Sequence, residues 1–240
     1  MRDNLPIIRG FNKTSEAGFD VFATSIFLGG CNLRCPYCMN ANLVRKKTKK
    51  IDIEEIKQHV INEKVGWVMI SGGEPTITEE SSLIALLEEI KSWGCKIGMS
   101  TNGTNPETLR QIVPHLNYVA LDMKSAKNED YDNIVGDEKL LIMNNVYISQ
   151  SILAVNKLKR KDFDFEIRTT LFPPFINQAA IAEIGTLIRK SDKWVLQQFR
   201  HSKNMLDENA LNIKPYDENE VKEIVDVAKR FCNNVTLRYV

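Results

Sequence analysis

The stretch Val21-Phe22-Ala23-Thr24-Ser25-Ile26-Phe27-Leu28-Gly29-Gly30-Cys31-Asn32-Leu33-Arg34-Cys35-Pro36-Tyr37-Cys38-Met39-Asn40 decides how the rest of the chain is read. Its first eight residues are rich in apolar, β-branched and aromatic side chains, as a buried strand requires. Two glycines end the run, and a loop carrying three cysteines follows. The same alternation continues to about residue 231. Strands are predicted at Val21–Leu28, Gly66–Ile70, Cys95–Ser100, Tyr118–Met123, Phe165–Leu171 and Trp194–Phe199, with a short one at Val235–Tyr239. Helices are predicted at Ile53–Asn62, with Asp52 as its N-cap, then at Glu79–Trp93, Glu107–Val113, Lys139–Lys157, Gln178–Arg189 and Asp217–Phe231.

Six strand–helix repeats imply parallel strands joined by right-handed crossovers. Strands covered by helices on both faces read as unbroken apolar runs, as these do. The expected fold is α/β, a partial (β/α)6 TIM-like barrel. Eight strands close a full ring, so six should leave one side open, wide enough for an extended segment of another protein. No Gly/Ser linker divides the chain. One domain is therefore expected over residues 1–240, with a core at about 21–200 and a C-terminal helix and strand at 215–240.

Composition narrows the function classes. The 240 residues are 43% hydrophobic, which suits one substantial core. Lys and Arg number 32 against 31 Asp and Glu, a formal charge of +1, so no general pull toward nucleic acid exists. No apolar run of membrane-spanning length and no leader pattern is visible, so a soluble, cytoplasmic protein with reduced thiols is expected. One local basic run, Arg45-Lys46-Lys47-Thr48-Lys49-Lys50, reads either as a solvated loop or as a docking patch beside the cysteine loop.

Cys31, Cys35 and Cys38 have the spacing C-x3-C-x2-C with no fourth cysteine nearby. Three thiolates on one loop can each hold one iron of a cubane cluster. Four cysteines are the usual complement, so one iron would lack a protein ligand and stand open to chemistry. Structural zinc instead wants two short ligand pairs, and neither His59 nor Cys95 completes such a set. A total of five cysteines also speaks against a disulfide framework.

Further polar motifs fall just after predicted strands and so converge on one rim. In Gly72-Gly73-Glu74-Pro75 the glycines let the backbone bend close to a ligand, and carbonyls with the Glu74 carboxylate can accept from an ammonium group. The plainer reading is a strand-to-helix turn. Thr101-Asn102-Gly103 offers short side chains for a ribose or carboxylate. Asp122 is a candidate ribose acceptor and Lys124 a partner for a carboxylate; flanking one residue, they point to the same face, and their alternative is a surface ion pair. Arg168 lies inside a strand, where a charge is rarely buried unpaired; it either faces the lumen and binds an anion or makes a structural salt bridge. Cys95 and Cys232 read as small buried hydrophobes, His59, His115 and His201 as structural or surface residues, and Trp67, Trp93 and Trp194 as core.

Together these motifs resemble the radical S-adenosylmethionine (SAM) superfamily across almost the whole chain. The cysteine loop with Asn40, Ser71–Pro75, Thr101–Gly103 and Asp122-Met123-Lys124 are most similar to the activating enzymes of glycyl-radical proteins, those of anaerobic ribonucleotide reductase and pyruvate formate-lyase. The tail Val195–Arg200 and Met205-Leu206-Asp207 resembles the C-terminal segment of that group. The resemblance implies that Cys31, Cys35 and Cys38 hold a [4Fe–4S] cluster whose open iron chelates SAM. It places Tyr37 against adenine, Gly72–Glu74 near the methionine ammonium, and Asp122 and Lys124 near ribose and carboxylate; Thr101, Asn102 and Arg168 join the candidate cofactor contacts on their own chemistry. One electron would then cleave SAM to methionine and a hydrogen-abstracting 5′-deoxyadenosyl radical.

The implied partners are a glycyl-radical enzyme as protein substrate and a low-potential donor such as flavodoxin or ferredoxin. Met39 departs from the histidine common in activases, and Ser100 from an aspartate that in some helps bind a monovalent cation beside SAM. Small-molecule chemistry, as in the deazaguanine-forming enzymes, is the alternative. An iron–sulfur electron carrier fits poorly with three cysteines and SAM-type loops.

Overall fold

The computed structural model of the protein describes residues 4–16, 22–126, 144–156, 161–188 and 193–239. Among these, eight strands form one sheet in chain order: β1 (Ile8–Glu16), β2 (Phe22–Leu28), β3 (Trp67–Gly72), β4 (Lys96–Thr101), β5 (Tyr118–Asp122), β6 (Asp164–Leu171), β7 (Lys193–Gln198) and β8 (Asn234–Tyr239). β1 runs antiparallel to β2, and every later pairing is parallel. The helices are α1 (Ala41–Val44), α2 (Ile53–Asn62), α3 (Glu80–Ser92), α4 (Pro106–Ile112), α5 (Asn144–Asn156), α6 (Gln178–Leu187) and α7 (Glu218–Ala228).

The α/β fold with a parallel sheet is the one its alternating apolar runs call for. β1 is new. Its sequence, Ile8-Arg9-Gly10-Phe11-Asn12-Lys13-Thr14-Ser15-Glu16, is too polar to read as a covered strand. Such polarity suits an edge, where it discourages pairing with another chain. α1 is a single turn that periodicity could not reveal. Val21, residues 139–143, Lys157 and Arg189 of the predicted elements lie outside the described residues.

Two observations show that the sheet curves. Side chains from the ends of β3 to β7 and the loop after β2 line one cavity. The chain beyond β7 also touches the loop after β2: the Leu206 N–H donates to the Cys38 carbonyl at 2.9 Å, and the Asp207 N–H to Pro36 at 3.3 Å. On a flat sheet, β2 and β7 would stand about 24 Å apart at roughly 4.8 Å per strand. The strands leave the barrel open between β1 and β8, and residues 205–207 bridge that side at the rim. The opening foreseen in the sequence is therefore partly strapped.

Ile26, Ile70, Leu86, Val119, Ile167 and Trp194 are among the fully buried side chains of the main core between sheet and helices. At the other end of the lumen, Met69, Tyr118, Ala23 and Ala120 form a floor with Trp67 against it. Buried Glu166 accepts from Arg238 of β8 at 2.9 Å there. Among the described residues the lumen is thus packed at this end, and the cavity lies at the rim. No helix among the described residues is long and apolar enough to cross a membrane.

The helix caps follow local chemistry. Asp52 accepts from the Glu54 N–H at 2.9 Å, as its position suggests. Glu79 caps α3, and hydrogen bonds from the hydroxyls and N–H groups of Ser81 and Ser82 hold its carboxyl down at about 2. A depressed folded value gives stability that is present above the ordinary carboxylate range and lost as pH falls through about 2. Glu79→Gln should therefore be less stable than the natural chain at neutral pH, with the gap closing near pH 2. Urea unfolding at the two pH values measures it; a gap of equal size at both would refute the capping role.

Candidate functional site

The cysteine loop is set by backbone. The Gly30 N–H donates to the Leu43 carbonyl at 2.9 Å, and the Gly30 carbonyl accepts from the Glu74 N–H at 2.8 Å. The Gly73 N–H reaches back to Leu28 at 2.9 Å. Gly73 fits against this loop only because it has no Cβ; one added there would overlap the Gly30 carbonyl. Gly72 has φ +113, a left-handed value that favours glycine. The two motifs that the sequence shows separately are therefore one interlocked unit.

Cys31, Cys35 and Cys38 all line a cavity of about 300 Å3 at the rim. Gly72, Gly73, Glu74, Thr101, Asn102, Asp122, Lys124, Arg168 and Tyr37 line it too, so every candidate site residue comes to one place. Met39 and Ser100 stand in its wall. Cys95 sits at the opposite end of the strands, its thiol donating to the Val65 carbonyl at 3.3 Å. Cys232 is fully buried after α7.

Burial pushes the Cys31 thiol up to about 12, with Glu74 nearby adding to the effect. Burial pushes Cys35 up to about 11, against the pull of Lys124, and raises Cys38 as well. A metal must therefore drive off the protons as it binds. Among the described residues, no three His, Cys, Asp or Glu side chains gather closely enough for a single metal ion. A multi-iron cluster takes each thiolate on a different iron, so its ligands ring a cavity instead of meeting at a point. The donor set and its placement fit such a cluster.

Glu74 serves the loops around it. Its Oε1 accepts from the Thr76 N–H (3.0 Å), the Thr76 hydroxyl (2.6 Å) and the Thr101 hydroxyl (2.7 Å), and Oε2 from the Asn102 N–H (2.6 Å). It is 1% exposed. Burial raises its carboxyl, and the donors from Thr76, Asn102 and Thr101 pull against that rise. With four internal donors on its oxygens, Glu74 joins the ends of β3 and β4. Its oxygens are thus engaged by the protein's own donors, and Gly72 and Gly73 line the cavity beside it. Thr101 is likewise engaged, accepting from the Gly103 N–H at 3.1 Å. Asn102 donates to Asn32 at 2.9 Å and accepts from the Thr104 hydroxyl at 2.6 Å. Asn32 in turn donates to Thr104 at 2.8 Å. Asn32, Thr76 and Thr104 carry no sequence signal beyond lying in polar loops.

Asp122 and Arg168 face each other across paired strands. Arg168 Nε and Nη2 both lie 2.9 Å from Asp122 Oδ1, and Lys124 Nζ lies 3.0 Å from Oδ2. Side-chain exposures of 12% for Lys124, 13% for Arg168 and 28% for Asp122 rule out the surface ion pair. Burial alone would raise Asp122, but Arg168 and then Lys124 outweigh it and hold the carboxyl below its usual range. Burial works to lower Lys124, yet Asp122 and the groups of Tyr37 and Cys35 keep it well above its ordinary value. Two cations on one carboxylate leave positive charge facing the three thiols. Arg168 makes the salt bridge and also lines the cavity.

An aromatic group seats the third side. Tyr37 packs on Phe172 at 4.8 Å between centroids, and Phe172 on Phe199 at 5.0 Å. Met205 buries against the same group, which anchors the strap. Arg45 Nη2 holds the strap as well, donating to the Leu206 carbonyl at 3.0 Å.

Comparison with known proteins agrees with this geometry. The sequence profile of the Radical SAM superfamily matches residues 25–183. A protein of Methanocaldococcus jannaschii named as a glycyl-radical enzyme activating enzyme is 30% identical over 223 residues, spanning 90% of this chain and 88% of that one. The 7-carboxy-7-deazaguanine synthase of Haemophilus influenzae is 28% identical over 165 residues, 67% of this chain and 74% of that enzyme. The solved structure of native anSMEcpe with bound AdoMet superposes with a TM-score of 0.54 at 17% identity, covering 88% of this chain and 62% of that one.

Proposed function

Because this chain belongs to the radical SAM superfamily, whose enzymes use a [4Fe–4S] cluster and SAM, we propose that it activates a partner protein by hydrogen abstraction from a backbone glycine. The observation that carries the reading is similarity over nine-tenths of the chain to a protein named for that task. The cluster and SAM, when bound, supply one-electron cleavage of a sulfonium and a radical that takes a hydrogen atom. The protein's own part is to hold, orient and exclude water. Cys31, Cys35 and Cys38 would hold the cluster. Lys124 and Arg168 would attract the SAM carboxylate, Asp122 would accept from ribose, and the Gly72–Gly73 backbone would meet the ammonium. Tyr37, fixed by Phe172, would lie against adenine. A small-molecule substrate, suggested by the deazaguanine synthase, is the second reading.

Electron paramagnetic resonance tests the choice. The enzyme, SAM and a reductant should give a doublet on the cognate glycyl-radical protein that collapses when its glycine is deuterated at Cα. Efficient turnover of a free small molecule, with no cognate glycyl-radical protein in the source genome, would reject the reading.

Asp122→Ala should weaken SAM binding while iron content stays intact, because Asp122 is no iron ligand. Loss of a hydrogen bond to a charged group costs about 1.5–3 kcal/mol, roughly ten- to a hundredfold in affinity. Isothermal titration with SAM gives the number, and an unchanged Kd would rule out the assigned role.

A further inference from the structure

A second, smaller cavity of about 220 Å3 lies on the outer side of the cysteine loop. Its lining shares no residue with the rim cavity. Ile7 and Ile77, 51% and 41% exposed, give it an apolar floor. Arg9 and Lys46 stand over it as cations. A Cβ added to Gly29 would meet Arg9 Cγ at 2.7 Å, and one added to Gly30 would meet Lys46 Cε at 2.7 Å. The stems of both cations therefore lie directly on the dipeptide that leads into Cys31. Arg9 is fixed there by donating to the Thr48 carbonyl at 2.7 Å, and Lys46 is presented from a left-handed backbone, φ 55. Exposed Lys47, Lys49 and Lys50 extend the positive field. With a net charge of only +1 on the whole chain, this is a local concentration of charge.

We propose that this patch docks a small acidic electron-carrier protein that delivers one electron across Gly29–Gly30 to the cluster site. The inference rests on the radical SAM reading, which requires an electron from outside. A partner offering a glycine must sit over the rim cavity to present it, whereas an electron donor needs only a short path to the cluster. Two glycines backed by the loop of Gly73 provide that path with no side chain of their own in the way. An apolar centre with a cationic border suits a weak, steered redox encounter. In the transfer the reduced carrier is oxidised by one electron and the bound cluster is reduced by one; no atom or proton crosses.

The test compares two reductants of SAM cleavage, dithionite and a reduced flavodoxin. K46E reverses the charge over Gly30, and K47E/K49E reverses two exposed charges that touch neither glycine. With dithionite both variants should match the natural chain in iron content and in 5′-deoxyadenosine formed. With flavodoxin at low salt both should be about tenfold slower or more, and should lose most of their salt dependence. Equal flavodoxin rates in all three proteins would overturn the proposal, as would equal losses with both reductants. A flavodoxin rate that holds while glycyl-radical formation under dithionite falls would also overturn it, assigning the patch to the glycyl-radical partner. No cleavage by the natural chain with dithionite would overturn the underlying reading together with this one.

Discussion

Cys35→Ala is expected to purify as a folded chain with almost no iron, where the natural chain reconstitutes anaerobically to about four irons and four sulfides. Three thiols ring the cavity, and among the described residues its lining holds no fourth cysteine and no histidine to step in. Cys95 is bound to Val65 at the far end of the strands, and Cys232 is sealed behind α7. SAM cleavage should fall below detection, because no one-electron donor remains beside the sulfonium. Fold retention is checked by circular dichroism, and Cys95→Ala serves as the control that keeps its cluster. One bound zinc with no sulfide in the natural chain, or a full cluster in Cys35→Ala, would refute the three-thiol assignment.

Gly73→Ala should do comparable damage by a different route. The added methyl would land on the Gly30 carbonyl oxygen and carbon, and those are backbone atoms with no rotamer to change. The Gly73 N–H to Leu28 and Glu74 N–H to Gly30 bonds fix the two segments against each other. Relief therefore requires pushing the cysteine loop away from the β3 end. Overpacking of this kind costs about 3 kcal/mol or more, and the displaced loop should also lose iron. Gly66→Ala is the comparison, since its Cβ would meet nothing within 4 Å. Denaturant unfolding and iron analysis read the two effects. A Gly73→Ala protein as stable and as iron-rich as Gly66→Ala would show that the two loops do not interlock.

What could be read in advance was whatever repeats at short range. Apolar runs gave β2 to β8, and the cysteine spacing with Gly72–Glu74, Asp122, Lys124 and Arg168 marked the rim. Pairing at long range left no such trace. Nothing near Glu74 announces that its carboxylate gathers Thr76, Thr101 and Asn102. Nothing near Asn32 announces Asn102 and Thr104. β1 stayed hidden because an edge strand has no need of an unbroken apolar run. The strap of residues 205–207 was visible as a resemblance, but its contact with the cysteine loop is backbone to backbone and carries no side-chain signature.

That strap also bears on the order of events in the cell. Arg45 and the Leu206 carbonyl it holds are 161 residues apart. At roughly 5–20 residues per second of synthesis, the cysteine loop leaves the ribosome roughly 10–30 s before the segment that fastens it. During that interval the thiols lack their final wall, and contacts of such high sequence separation form late. A growing chain thus carries its cysteine loop unfastened until residue 206 has been made and has folded back onto it.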